Sequence, residues 1–223
     1  MRLRIKMADV KPEDINLDDP PFPLTAIDRQ VLATPDEEYH RITWEDLKHI
    51  ITTNTLEQLK RLPSDLRRYL AWSYNVKQAY GGILPYVIQE RLHWQPDPAR
   101  STKGPYFEHR SSIPFADPRD FAVLVNDWPY GFEAGIQHLL VWSKTPIPVD
   151  DEKGDVTPES RRLIEEFIEE FFVRPLGQGG KDQVQWFKNW VSLQSVRGVD
   201  HVHVLVRDVA PEQLAKWTER RDL

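Results

Sequence analysis

The stretch Asp200-His201-Val202-His203-Val204-Leu205-Val206-Arg207 holds the side chains in this sequence best suited to chemistry. Its period of two sends His201, His203 and Leu205 to one face of a strand and Val202, Val204 and Val206 to the other. Imidazole serves as an uncharged nucleophile near neutral pH and as a tolerable leaving group afterwards. Paired strand histidines also occur as hydrogen-bonded structural partners with no reaction of their own. A third use is metal binding. His138, His201 and His203 offer the neutral imidazoles that zinc favours, but Asp200 is the sole acidic partner in view to orient them, so no metal site is assigned. A serine hydrolase built on Ser195, a histidine and Asp200 is weaker still, because no nucleophile elbow surrounds the serine.

The elements that must position these residues can be read along the chain. Thr43-Trp44-Glu45-Asp46 opens a helix with Thr43 as N-cap. Thr55-Leu56-Glu57-Gln58 matches a capping box, and Ser64 is placed to cap the next helix, in which Leu66, Tyr69, Leu70 and Ser73 keep helical spacing. Gly81-Gly82 ends or kinks that helix, and 83–94 continues as helix broken near Pro85. Prolines 96, 98, 105, 114 and 118 make the next segment irregular, with Phe107 and Phe115 to pack it down. Strands are expected over 121–125, 137–144 and 186–193, with the His201 strand beside the last. Thr157-Pro158-Glu159 starts a helix whose stripe is Ile164, Phe167, Ile168 and Phe171, and 211–220 forms a short closing helix. Trp128-Pro129-Tyr130-Gly131 reads either as a turn with an aromatic plug or as a platform for a base or sugar ring. The division that results is an acidic, proline-rich, partly ordered arm (1–38), a helical extension with its irregular connection (39–119) and an α+β core (120–223), the last two forming one compact unit.

Composition narrows the classes. At 223 residues and 40% apolar, the chain can bury a real core. Its formal charge of −6 argues against bulk nucleic-acid or anionic-membrane binding. The absence of cysteine removes disulfides, thiolate zinc sites and cysteine nucleophiles. The basic start lacks an apolar run, so no signal peptide or membrane span is read, and a cytoplasmic or nucleocytoplasmic location is expected. No cofactor is called for.

The order of pieces from 121 to 207 resembles the histidine-triad (HIT) superfamily of nucleotidyl hydrolases and transferases. The pieces are Asn126-Asp127 after a strand, His138 and Lys144 on the next strand, Asn189, Gln194-Ser195, and then His201-Val202-His203. The resemblance implies a HIT-like antiparallel sheet with a crossing helix, and a nucleotide or nucleotide-sugar as ligand. It aligns His203 with the nucleophile and His201 with its orienting neighbour. Ser195 and Asn189, with Gln194 beside them, fall at phosphate contacts, Asn126 or Asp127 at ribose hydroxyls, and His138 at an accessory histidine. Two departures stand out. Leu205 occupies the third histidine position and can neither donate nor accept a proton. Arg197-Gly198-Val199 also lengthens the gap between Ser195 and His201, and the Arg197 guanidinium is suited to phosphate. Weak phosphoanhydride hydrolysis or nucleotidyl transfer is the most this set supports. Its rival is a non-catalytic sensor, scaffold or adaptor. Relatives of this superfamily are often dimers, which leaves a homodimer open.

Over 39–209 the chain also resembles a narrower group, the fungal N-acetylglucosamine-induced proteins, a family without an assigned reaction. Ala79-Tyr80-Gly81-Gly82-Ile83-Leu84-Pro85-Tyr86-Val87, Asn126 to Gly131, Gly135 to Lys144 and the His201 strand carry this match. It implies a link to amino-sugar metabolism and supplies no mechanism.

Overall fold

The computed structural model describes residues 9–101, 104–150, 152, 154–194 and 196–220. Four strands, β1 (Phe121–Val125), β2 (Ile136–Ser143), β3 (Val184–Phe187) and β4 (Asp200–Arg207), form one antiparallel sheet in the order β1-β2-β4-β3. Helices α1 (Ala26–Leu32), α2 (Trp44–Thr53), α3 (Pro63–Tyr80) and α4 (Ile83–Tyr86) precede the sheet. Helix α5 (Pro158–Ile168) lies within its sequence, and α6 (Pro211–Thr218) follows it. The α+β class expected from the sequence is the class the chain adopts.

Alternation along the two central strands creates two unlike faces. Leu139, Val141, Val202, Val204 and Val206 are at most 1% exposed and pack against Ile164, Phe167 and Phe172 of α5 and its continuation, with Trp217 of α6. Full burial of each such side chain contributes about 1.5–3 kcal/mol, which makes this apolar layer the main source of cohesion. The opposite face carries His138, Leu140, Trp142, His201, His203 and Leu205. The N-terminal helices cover it. Trp44, Leu47 and Ile50 of α2 close over Leu205 and Phe187. Val87, Ile88 and Leu92, in the π-helical turn after α4, close over Trp142 and Val199. The histidine face is therefore an interior layer.

Caps explain several element ends. Thr43 Oγ1 accepts from the Asp46 amide at 3.1 Å while the Asp46 carboxylate accepts from the Thr43 amide at 2.9 Å, a reciprocal box. Thr157 caps α5 from one side, its Oγ1 accepting from the Ser160 amide at 3.1 Å. Gly81, at φ 78°, ends α3.

The other local expectations change for physical reasons. Thr55 caps no helix; Leu56–Gln58 is a single 3₁₀ turn that buries Leu56 and leads to the buried Leu59. Ser64 lies inside α3, because Pro63 takes the first helical position, where its missing amide costs nothing. The cap comes instead from the arm, whose Asp36 carboxylate accepts from the Ser64 amide at 2.9 Å. Pro85 sits in the first turn of α4 and breaks nothing. The third strand covers Val184–Phe187 only, and the chain then turns through Val191–Leu193. The arm is more ordered than expected: α1 is boxed by Thr25 and Asp28, Ile15 and Leu32 are buried against α3, and Phe22 stacks on Tyr74 at 5.2 Å. Ile27 does not dock and is 51% exposed.

Candidate functional site: a histidine layer and the cleft beside it

Strand pairing places His138 opposite Leu205 and Leu140 opposite His203, so all three histidines share one face. His138 Nε2 lies 2.8 Å from His203 Nδ1. The chain of contacts extends both ways, from His138 Nδ1 to Asn126 Nδ2 at 3.2 Å and from His203 Nε2 to the Asn189 amide at 3.2 Å. That amide also meets the Tyr130 hydroxyl at 3.2 Å. Phe187 stacks on His203 with centroids 4.6 Å apart and rings 7° from parallel. His201 stands apart: its Nδ1 lies 3.1 Å from the Val199 carbonyl, and Trp142 covers its ring at 4.4 Å.

These contacts constrain which nitrogens carry protons. Asn126 Oδ1 accepts from the Trp128 amide at 3.0 Å, so its NH₂ group faces His138, 3.2 Å from Nδ1 and 3.4 Å from Nε2, over the ring rather than in line with one lone pair. Between His138 Nε2 and His203 Nδ1 one nitrogen donates and the other accepts. The Asn189 NH₂ group donates to the Tyr130 hydroxyl and lies against His203 Nε2. His201 has a defined tautomer. A carbonyl can only accept, so Nδ1 holds the proton and Nε2 keeps its lone pair.

Burial keeps the layer neutral. Desolvation, aided by the positive field of Arg61, lowers His138 from 6.5 to about 3. Desolvation lowers His201 to about 4, although its bond to Val199 opposes the shift. His203 is held well below 6.5, first by desolvation and then by its histidine neighbours.

Next to this layer lies a partly open cleft with about 690 Å³ of empty space, counting its mouth. Of the three histidines, His201 lines it. Tyr69 and Trp72 of α3, Tyr86 of α4, Trp128 and Trp142 form aromatic walls, and Asn126, Asp127, Arg61 and Arg91 supply polar groups. Trp72 and Trp128 sit 5.1 Å apart, and Arg61 lies over Tyr69 at 4.0 Å while donating to the Trp128 carbonyl at 3.2 Å. Arg91 pairs with Asp127 at 3.1 Å. Partial burial raises the Asp127 carboxyl, with Arg91 opposing. The buried indole N–H groups of Trp128 and Trp142 have no acceptor among the described residues. Two orphaned donors, a histidine lone pair and flat apolar walls suit a ring-bearing ligand rich in acceptors.

The structure separates the sequence candidates. Asn126, Asp127 and His201 reach the cleft; His138, His203 and Asn189 form the interior relay behind it. Both nitrogens of His203 are engaged, so the residue aligned with a nucleophile presents no free lone pair, and His201 does. Lys144 belongs to neither group, since its ammonium donates to the Arg119 carbonyl at 2.8 Å and lies over Trp94. Gln194 braces the relay, donating to the Asn189 carbonyl at 3.0 Å. Arg197 is exposed on a neighbouring depression, and Ser195 lies outside the described residues. The zinc arrangement fails on geometry: His138 and His203 point nitrogens at each other, and no group of three or more His, Asp or Glu among the described residues is set to hold a metal. Sequence reasoning missed Arg61, in the connection before α3, and Trp72, Tyr86 and Arg91 on helical segments, whose spacing does not mark them as a site. It also missed Lys188, 3% exposed in its side chain and paired with Asp200 at 3.0 Å.

Fold and site together define an α+β protein in which a helical extension roofs a histidine-bearing sheet and leaves an aromatic cleft at the seam. Residues 43–207 match the family described as a protein of unknown function, DUF3605, and the chain belongs to that family. It is 36% identical over 177 residues to N-acetylglucosamine-induced protein 1 of Candida albicans, a span of 75% of this chain and 68% of that protein. It is 31% identical over 179 residues to uncharacterized protein YPL067C of Saccharomyces cerevisiae, covering 80% of this chain and 85% of that one. The crystal structure of HTC1 is similar with a TM-score of 0.56 and 30% identity, over 78% of this chain and 91% of that chain. The narrower of the two resemblances seen in the sequence is thus the chain's family. Among the described residues, no helix is long and apolar enough to cross a membrane.

Proposed function

We propose that the chain binds a nucleotide or nucleotide-sugar phosphate in the aromatic cleft and acts as a binder rather than an efficient catalyst, in a cellular response to amino sugars. The observation that carries this reading is His201, a neutral imidazole with its Nε2 lone pair free in a cleft that also contains two orphaned indole donors. The rings offer stacking faces, and Arg61 and Arg91, bonded within the protein, keep positive charge in the cleft wall. The amino-sugar context comes from the name of the Candida albicans relative. Leu205 favours binding over turnover. It is fully buried in the layer under Trp44, where it can carry no proton. Loss of one preorganised donor costs about 10²–10³ in rate, so turnover, if present, is slow.

A thermal-shift series with nucleosides, nucleoside diphosphates and nucleotide sugars tests this. A ligand bound only by the native state should raise the midpoint, and His201→Gln should remove most of that rise while keeping the ligand-free midpoint within a few degrees. Equal protection of the variant would place the ligand elsewhere. Robust hydrolysis abolished by His201→Gln would replace the binder with an enzyme.

A further inference from the structure

Beside the aromatic cleft lies a second depression lined by Lys77, Gly81, Gly82, Leu84 and Arg197, and the two share Tyr69, Ile83 and Val196. They are two ends of one groove. We propose that this end is a cationic mouth for the phosphate or diphosphate of a two-part ligand whose ring lies among the aromatic side chains, an inference that rests on the cleft being a ligand site.

The lengthened loop before β4 builds this mouth. Val199 is 4% exposed and packed under Leu92 and Trp94, and its carbonyl holds His201 Nδ1. Gly198 follows the chain over α4 at φ 101°, where a Cβ would come within 3.1 Å of Leu84 Cδ2. Only glycine combines that backbone angle with so close an approach. Anchored at Val199, the loop puts Arg197 on the groove, exposed, with Lys77 of the last turns of α3 lining the same depression. Residues 197–199 thus have a purpose: they set the tautomer of His201 and deliver a guanidinium on the same short segment.

The electrostatics favour an anion. Neither Lys77 nor Arg197 is paired with a carboxylate among the described residues, in a chain whose net charge is −6. Arg61 and Arg91 are committed, the first to the Trp128 carbonyl and the second to Asp127. Guanidinium offers the two-pronged geometry that phosphate oxygens accept, and an ammonium adds a mobile point charge. The cleft proper supplies the neutral contacts for a ring, so recognition divides into an aromatic half and an ionic half.

Calorimetric titrations of the full chain with adenosine and uridine, with their diphosphates, with uridine diphosphate N-acetylglucosamine and with inorganic pyrophosphate test the division. For the wild type, the diphosphates should bind about tenfold or more tightly than the nucleosides, with an advantage that shrinks as salt rises. Lys77→Ser with Arg197→Ser should erase that advantage and leave nucleoside affinity unchanged; both side chains are exposed, and the variant's thermal midpoint verifies the fold. Pyrophosphate binding that is lost in the variant supports the mouth and shows that it takes the anion alone. If the double variant keeps the full diphosphate advantage, the mouth is refuted and the cleft reading survives. If no nucleoside or nucleotide binds the wild type, both fall together.

Discussion

Acid should unfold this protein through its histidine layer. His138 and His201 have folded values of about 3 and 4 against an ordinary 6.5, and His203 is lowered in the same direction. Between pH 6.5 and 4 the unfolded chain binds protons at these positions and the folded chain does not. Stability therefore rises with pH in that window, is complete above 6.5 and is lost as pH falls. At pH 5 the difference amounts to about 2 kcal/mol for each of His138 and His201, about 4 kcal/mol together. His203 adds to the loss. Asp127, raised by partial burial, acts in the opposite sense, but it is partly exposed and its contribution is small. Against a total stability of about 5–15 kcal/mol, such a loss is a large fraction.

Urea titrations from pH 7.5 to pH 5 should show the midpoint falling steeply below 6.5 with an unchanged slope. Histidine nitrogen shifts measured by NMR at pH 7 should show the Nδ1–H tautomer for His201 and neutral rings for His138 and His203. A stability flat across this range, or imidazoles titrating near 6.5 in the folded protein, would refute the neutral-layer account.

Two further outcomes follow from single contacts. Thr43→Ala removes the cap of α2 and half of its box with Asp46, and should cost about 1 kcal/mol in urea unfolding. Asp200→Ala strands the Lys188 ammonium, only 3% exposed, and should cost about 3–5 kcal/mol, whereas Lys188→Met leaves a 28%-exposed carboxylate still bonded to the Ile147 amide and should cost distinctly less; equal losses would show that the pair is not buried as drawn.

The sequence made some of this legible. Apolar runs placed β1 and β2 and period-two alternation placed β4, each within a residue or two, and Thr43 and Thr157 marked their helices because a cap is a local interaction. Ser64 misled for the opposite reason. Its partner is Asp36, 28 residues away, and Pro63 opens the helix one residue earlier, which moves the N-cap to Leu62. The third strand stops at Phe187, and the next residue, Lys188, is buried in a pair with Asp200, a contact that sequence spacing does not encode.

The histidines show how far residue type alone can carry a functional reading. Alternation correctly put His201 and His203 on one face, and pairing added His138, but a shared face does not say which ring is free. That depends on what roofs the sheet. Asn126, anchored by the Trp128 amide, and Asn189, held by Tyr130, engage the His138–His203 pair from both sides, so the pair is spent on cohesion. His201 escapes because Val199 takes its Nδ1 and α3 and α4 stop short of covering it. The two departures from the histidine-triad pattern fall at opposite ends of this face: Leu205 is fully buried under Trp44, and the 197–199 segment carries the Val199 carbonyl that fixes the His201 tautomer.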